Sequence, residues 1–139
     1  MAEEYTLERF LDAQAPLYSA VVAELAAGRK CTHWMWFIFP QIAGLGMSPT
    51  SVFYAISSLE EARAYARHAV LGARLRECAG LALAAAPKTA VAIFGGIDAT
   101  KFRSSMTLFA AAAPEEEVYS ACLAAFFSGE PDPETLARI

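Results

Sequence analysis

Histidine is scarce in this chain: His33 and His68 are the only two in 139 residues. Two imidazoles cannot build a multi-histidine metal centre, and the carboxylates lack the paired helical spacing of a di-metal site, so no metal and no cofactor are expected. Cysteine is scarce as well. Cys31, Cys78 and Cys122 are odd in number and never form a CxxC pair, which argues against a disulfide framework and a zinc knuckle; they read as reduced core residues. Positive charge is in deficit, with 11 Lys and Arg against 15 Asp and Glu, so general nucleic-acid binding, which wants clustered positive charge, is not expected. Long apolar runs are missing too. Mean hydropathy is +0.34, yet no uninterrupted apolar stretch approaches the ~20 residues of a spanning helix, and no membrane association is expected. The start "MAEEYTLERF" is acidic and amphipathic, unlike a secretory signal, and a cytoplasmic location follows as an expectation. Finally, GxSxG, a P-loop and a GxGxxG following a strand are all absent, which disfavours the usual nucleotide hydrolase and dinucleotide-binding folds.

What is present is helical periodicity. Leu7, Phe10, Leu11, Gln14, Tyr18, Val21, Val22 and Leu25 recur at steps of three and four, with Pro16 marking a kink or a break and Gly28 an end. Ser58 and Glu61 form a capping box that opens a helical region running through "VLGARLRECAGLALAAA" to Pro87. Asp98 is expected to cap a helix through "ATKFRSSMTLFAAAA", closed by Pro114. Glu115, Glu116 and Glu117 occupy a helix start, where the positive end of the helix dipole favours them, and Asp132 with Pro133 starts a last helix. Strand signals are confined to short apolar runs such as "AVAIF". The expected fold is all-α: a single domain over residues 1–139, an orthogonal helical bundle with a short buried aromatic helix.

That aromatic helix comes from "CTHWMWFIFPQIAGLGMS". Thr32 is expected to cap a helix from His33 to Phe39 that is apolar on all sides and therefore central. Pro40 ends it, a glycine-containing loop follows, and Ser48 with Pro49 opens the next helix. The runs "GRKCTHWMWFIFPQIAGLGMSPTSVFYAI", "EARAYARHAVLGARL", "IFGGIDATKFRSSMTLF" and "FFSGEPDPETL" resemble the bacterial family called domain of unknown function 1810, over essentially the whole chain. The resemblance implies a small, mainly helical fold and no established activity. Ala69 stands where members often have proline after the histidine, a departure that bears only on a local helix break.

Two stretches carry the candidate chemistry. In "GGIDATKFRSSMTLF", Lys101, Ser104, Ser105 and Leu108 share one helix face near an N-terminus preceded by two glycines. Free backbone N–H groups, the helix dipole and a lysine together suit a phosphate or carboxylate. The bland reading makes Asp98 a cap, leaves Lys101 in water and treats the serines as small packing residues. In the aromatic stretch, His33 is either a hydrogen-bonded structural residue or a ligand-binding or general-base group, with Lys30 and Gln41 bracketing its helix. Trp34 and Trp36 point about 200° apart, so at most one faces a pocket. Gln14, at a core step, must find partners and is either a bridge to the aromatic helix or a pocket group.

Two functions fit these residues. One is a binding protein or hydrolase for an anionic, nucleotide-like small molecule, its site assembled from Lys30, His33, Trp36, Gln41 and Ser48 on one side and Lys101, Ser104 and Ser105 on the other. His33 is the candidate catalytic group in that case, although no complete nucleophile, base and orienter set accompanies it. The other is a non-enzymatic protein-interaction module in which the aromatic segment is only core. Convergence of His33, Gln41, Lys101 and Ser105 on one concave surface would favour the first; dispersal would favour the second.

Overall fold

Proline and glycine punctuate the chain, and the helices follow that punctuation. A computed structural model describes residues 5–139; residues 1–4, with Glu3 and Glu4 of the acidic start, lie outside it. Pro16 divides the first helical run into α1 (Glu8–Gln14) and α2 (Tyr18–Ala26), because proline cannot continue the i to i−4 ladder. A single buried turn, α3 (Met35–Ile38), lies between Trp34 and Phe39. Ser48 caps α4 (Pro49–Phe53), its hydroxyl accepting from Ser51 N, and Ser58 caps α5 (Leu59–Arg67) through Glu61 N. Then come α6 (Leu71–Ala84), α7 (Ala90–Phe94), α8 (Gly96–Ala112), α9 (Glu117–Phe127) and α10 (Pro133–Leu136). Among the described residues the regular structure is entirely helical, apart from one parallel bridge between Ile42 and Ile56. The molecule is the expected all-α bundle of one compact domain.

The axis of that bundle is α8, which packs against α3, α5, α7, α9 and α10. Residues 104–109 of α8 are buried without interruption, and a helix buried on every side belongs at the centre. The expectation that the aromatic segment would be the central element is corrected here. Its helix is one turn long, and it meets the axis edge-on: the Phe39 and Phe102 rings are 4.9 Å apart and T-shaped, while Phe94 stacks on Phe102 at 4.6 Å. Ring pairs in these geometries stabilise beyond the area they bury.

"AVAIF", for all its strand signal, is helix in keeping with the all-α fold, because the Thr89 hydroxyl accepts from Ala92 N at 3.1 Å and starts α7. Four local expectations differ from the structure. Thr32 does not cap α3; its hydroxyl donates to Glu24 Oε2 at 2.6 Å, and Trp34 holds the N-cap position. Asp98 does not cap α8. Gly95, at φ 85, turns the chain directly from α7 into α8, leaving Asp98 in the first turn, where a negative charge is favoured. The run from Ser58 to Pro87 breaks at His68, whose Nδ1 accepts from Val70 N at 3.1 Å and Leu71 N at 3.2 Å. The two helices approach so closely there that a Cβ on Gly72 would sit 2.1 Å from Ala66 O. Cys31 is exposed, whereas Cys78 and Cys122 are core thiols, each pushed up to about 12 by burial.

Candidate functional site

Three segments far apart in sequence form a cleft of about 420 Å³. The first is the loop after α3, which contributes Gln41, Leu45 and Gly46. Its geometry is set by the bridge: Ile56 N donates to Gln41 O, and Ala43 N donates to Ile56 O, both at 2.8 Å. Gly46 is needed for the close turn toward α4, since a Cβ there would lie 2.6 Å from that of Ser51. The second segment is the N-terminal half of α8, whose Ile97, Thr100, Lys101 and Ser104 line the cleft at the spacing of one helix face. The third is the C-terminal segment, with Asp132 and Glu134. A narrow crevice shares Gln41 and Gly46 with the cleft and reaches Trp36.

Charge in this region is unevenly paired. Asp98 Oδ2 lies 2.8 Å from Lys30 Nζ, and Oδ1 is 3.9 Å from Lys101 Nζ. Asp98 is thus committed mainly to Lys30, and Lys101 keeps part of its positive charge for the cleft. Lys101 Nζ also stands 5.1 Å from the Trp36 ring centroid, a cation–π distance. Opposite, Asp132 Oδ2 accepts from Thr135 Oγ1 at 2.6 Å and Thr135 N at 3.2 Å, and Ser104 Oγ lies 3.0 Å away. Burial alone would raise the Asp132 carboxyl, but the hydrogen bonds from Thr135 and Ser104 outweigh it and hold the group below the usual carboxylate range. Asp132 has no cationic partner among the described residues, whereas Glu134 pairs with Arg138 at 3.0 Å.

Of the residues singled out from sequence, Gln41, Lys101 and Ser104 meet in the cleft and Trp36 lies in the adjoining crevice. Lys30 lines neither; it is ion-paired with Asp98, its ammonium 5.1 Å from the Trp34 ring centroid. Ser48 is the α4 cap, with its hydroxyl 2.8 Å from that of Ser51. Ser105 faces the core, fully buried, and its hydroxyl has no hydrogen-bond partner among the described residues. His33 is exposed and lines neither the cleft nor the crevice. The Gln41 side chain, half-buried at the cleft wall, makes no hydrogen bond to the described residues. Asp132 and Glu134 were not legible as cleft residues: "DPETL" reads locally as a helix start, and the Asp132–Ser104 contact spans 28 positions. Nor does the sequence distinguish Asp98 as a partner from Asp98 as a cap.

A larger cavity, about 540 Å³, opens beside Thr6, Arg9, Asp12, Phe53 and Tyr54, but its cation is already spent. Arg9 donates to Phe53 O and Ala55 O at 2.9 Å, to Thr6 O at 2.6 Å and to Glu61 at 3.3 Å, which makes it a strap between α1 and α5 rather than a free ligand-binding group. No cluster of three or more His, Cys, Asp or Glu among the described residues could hold a metal ion. No helix of the described residues is long and apolar enough to cross a membrane.

A family model described as "Protein of unknown function (DUF1810)" matches residues 4–139, and the chain belongs to that family. It is also similar to a solved protein, the conserved hypothetical protein Rv1873 from Mycobacterium tuberculosis, whose crystal structure superimposes with a TM-score of 0.95. The two are 51% identical, and the match covers 97% of this chain and 96% of that one. A comparison with curated proteins finds no match.

Proposed function

We propose that this member of a family without an assigned activity is a small-molecule binding protein that takes a nucleotide-like ligand by a single anionic group, phosphate or carboxylate, in the cleft between α8, the loop after α3 and the C-terminal segment. The observation that carries the reading is the convergence there of Lys101, whose nearest carboxylate oxygen is 3.9 Å away, with Gln41. An ammonium and an amide donor lining one cleft are suited to an oxyanion, and Leu45 and Ile97 add apolar surface for the rest of the molecule. Binding rather than hydrolysis is proposed, because His33 lies outside the cleft and Ser104 Oγ is held between Thr100 O at 3.2 Å and Asp132 Oδ2. Polyphosphates fit less well than monoanions, since Asp132, without a cationic partner among the described residues, lines the same cleft.

A thermal-shift screen of nucleoside monophosphates, sugar phosphates and small carboxylates tests this. A ligand at ~100 times its dissociation constant stabilises by about 2.7 kcal/mol, which is readily measured. Lys101→Ala and Gln41→Ala are each expected to remove the shift. A shift that survives both would place the ligand elsewhere. No shift from any compound at millimolar concentration would favour the interaction-module reading, which rests on Met47, Val52 and Phe53, all largely exposed around α4.

A further inference from the structure

The uneven pairing of charge across the cleft carries a statement about its occupant that goes beyond anion binding and rests on the cleft being the binding site. On the α8 wall, Lys101 shares Asp98 with Lys30 and holds the looser end of it, at 3.9 Å against 2.8 Å. On the C-terminal wall, the partners of Asp132 are the neutral donors of Thr135 and Ser104. Those donors fix the carboxylate without cancelling its charge. Glu134, beside it, is exposed and neutralised by Arg138. The cleft therefore has a positive wall and a negative wall, each with charge left over.

We infer that the ligand is dipolar: it carries a protonated amine as well as its anionic group, with the anion set against Lys101 and Gln41 and the ammonium against Asp132. A purely anionic ligand would leave Asp132 facing it as a like charge, and a purely cationic one would meet Lys101 in the same way. Only a molecule with both signs satisfies both walls. Ser104 links them, since it lies one helical turn beyond Lys101 on α8 and 3.0 Å from Asp132 Oδ2. It sets the position of the carboxylate relative to the lysine.

The test is a calorimetric titration of the full chain with ω-aminoalkyl phosphates of two to six carbons, each compared with the alkyl phosphate and the alkylamine of the same length. One aminoalkyl phosphate is expected to bind at least tenfold more tightly than either single-charge analogue. Asp132→Asn is expected to erase that preference while leaving the alkyl phosphate bound as well or better. Asparagine is as good an N-cap as aspartate, so this variant removes the charge and keeps the start of α10. Glu130→Gln, at an exposed position that does not line the cleft, is the second variant and is expected to weaken the amine-bearing ligand less than threefold. An alkyl phosphate that binds as tightly as its amino counterpart would overturn the dipolar inference and leave the anion-binding reading standing. Failure of every phosphate, with and without the amine, and of the ω-amino carboxylates of the same lengths would overturn both.

Discussion

Glu24 Oε1 accepts the indole N–H of Trp34 at 3.0 Å, and the same carboxylate also holds Cys31 N, Thr32 N and the Thr32 hydroxyl. One side chain on α2 thereby orders the whole approach to α3. It also satisfies the one polar atom of a fully buried tryptophan. Burial alone would raise the Glu24 carboxyl, but these four donors outweigh it and bring the group from 4.5 down to about 2.

The sign of the resulting pH dependence follows directly. A carboxyl depressed in the folded state contributes stability that is present above its unfolded value and is lost as pH falls through the folded one. Glu24→Gln is expected to lower the urea midpoint at neutral pH. The gap between variant and wild type should shrink as pH falls from about 4.5 toward about 2. A gap of constant size across that range would mean that the hydrogen bonds do not depend on the charge.

The two tryptophans separate by burial. Trp34 is fully buried, and Trp34→Ala is expected to cost roughly 3 to 5 kcal/mol in chemical denaturation. Trp36, half-buried under the Lys101 ammonium, is expected to cost about 1 kcal/mol, near the hydrophobic value of the area it covers. Equal costs at the two positions would contradict the packing described.

Ser104 and Ser105 are neighbours in sequence with opposite accounts. Ser104→Ala removes a donor to Asp132. It is expected to destabilise by about 1 kcal/mol and to raise the Asp132 carboxyl, measurable by carbon-13 titration. Ser105→Ala removes a buried hydroxyl without a partner among the described residues, and is expected to leave the melting temperature unchanged or raised. A large loss at Ser105 would show that its hydroxyl is satisfied.

Short-range chemistry was legible in the sequence and long-range chemistry was not. Ser48, Ser58 and Asp132 cap helices as their spacing predicts, because a cap and the N–H it serves lie three residues apart. Gln14, read as either a bridge or a pocket group, proves to be the bridge: its Nε2 donates to Phe37 O at 2.7 Å and to Tyr65 OH at 2.9 Å. Asp98 was misread as a cap because two glycines start the helix before it, and its true partner, Lys30, lies 68 positions away on another element. The centrality of α8 was hidden for a related reason. Its serines and threonines look like a polar face, yet Thr107 donates to Arg103 O one turn earlier and Ser104 to Asp132 Oδ2, and both so enter the interior at little cost.

The Ile42–Ile56 bridge gathers both ends of a thirteen-residue excursion, residues 43–55, into one place. None of those residues is fully buried, and two backbone hydrogen bonds pin the excursion at its neck. Its second half is tied to the core, since the Tyr54 ring lies 5.4 Å from that of Phe37 and 5.9 Å from that of Phe10, and Arg9 donates to Phe53 O and Ala55 O. Its first half, residues 43–47, holds Leu45 and Gly46 at the cleft, so insertions there would reshape one wall and leave those contacts in place. The scaffold can therefore change the shape of this cleft by editing one short stretch of loop.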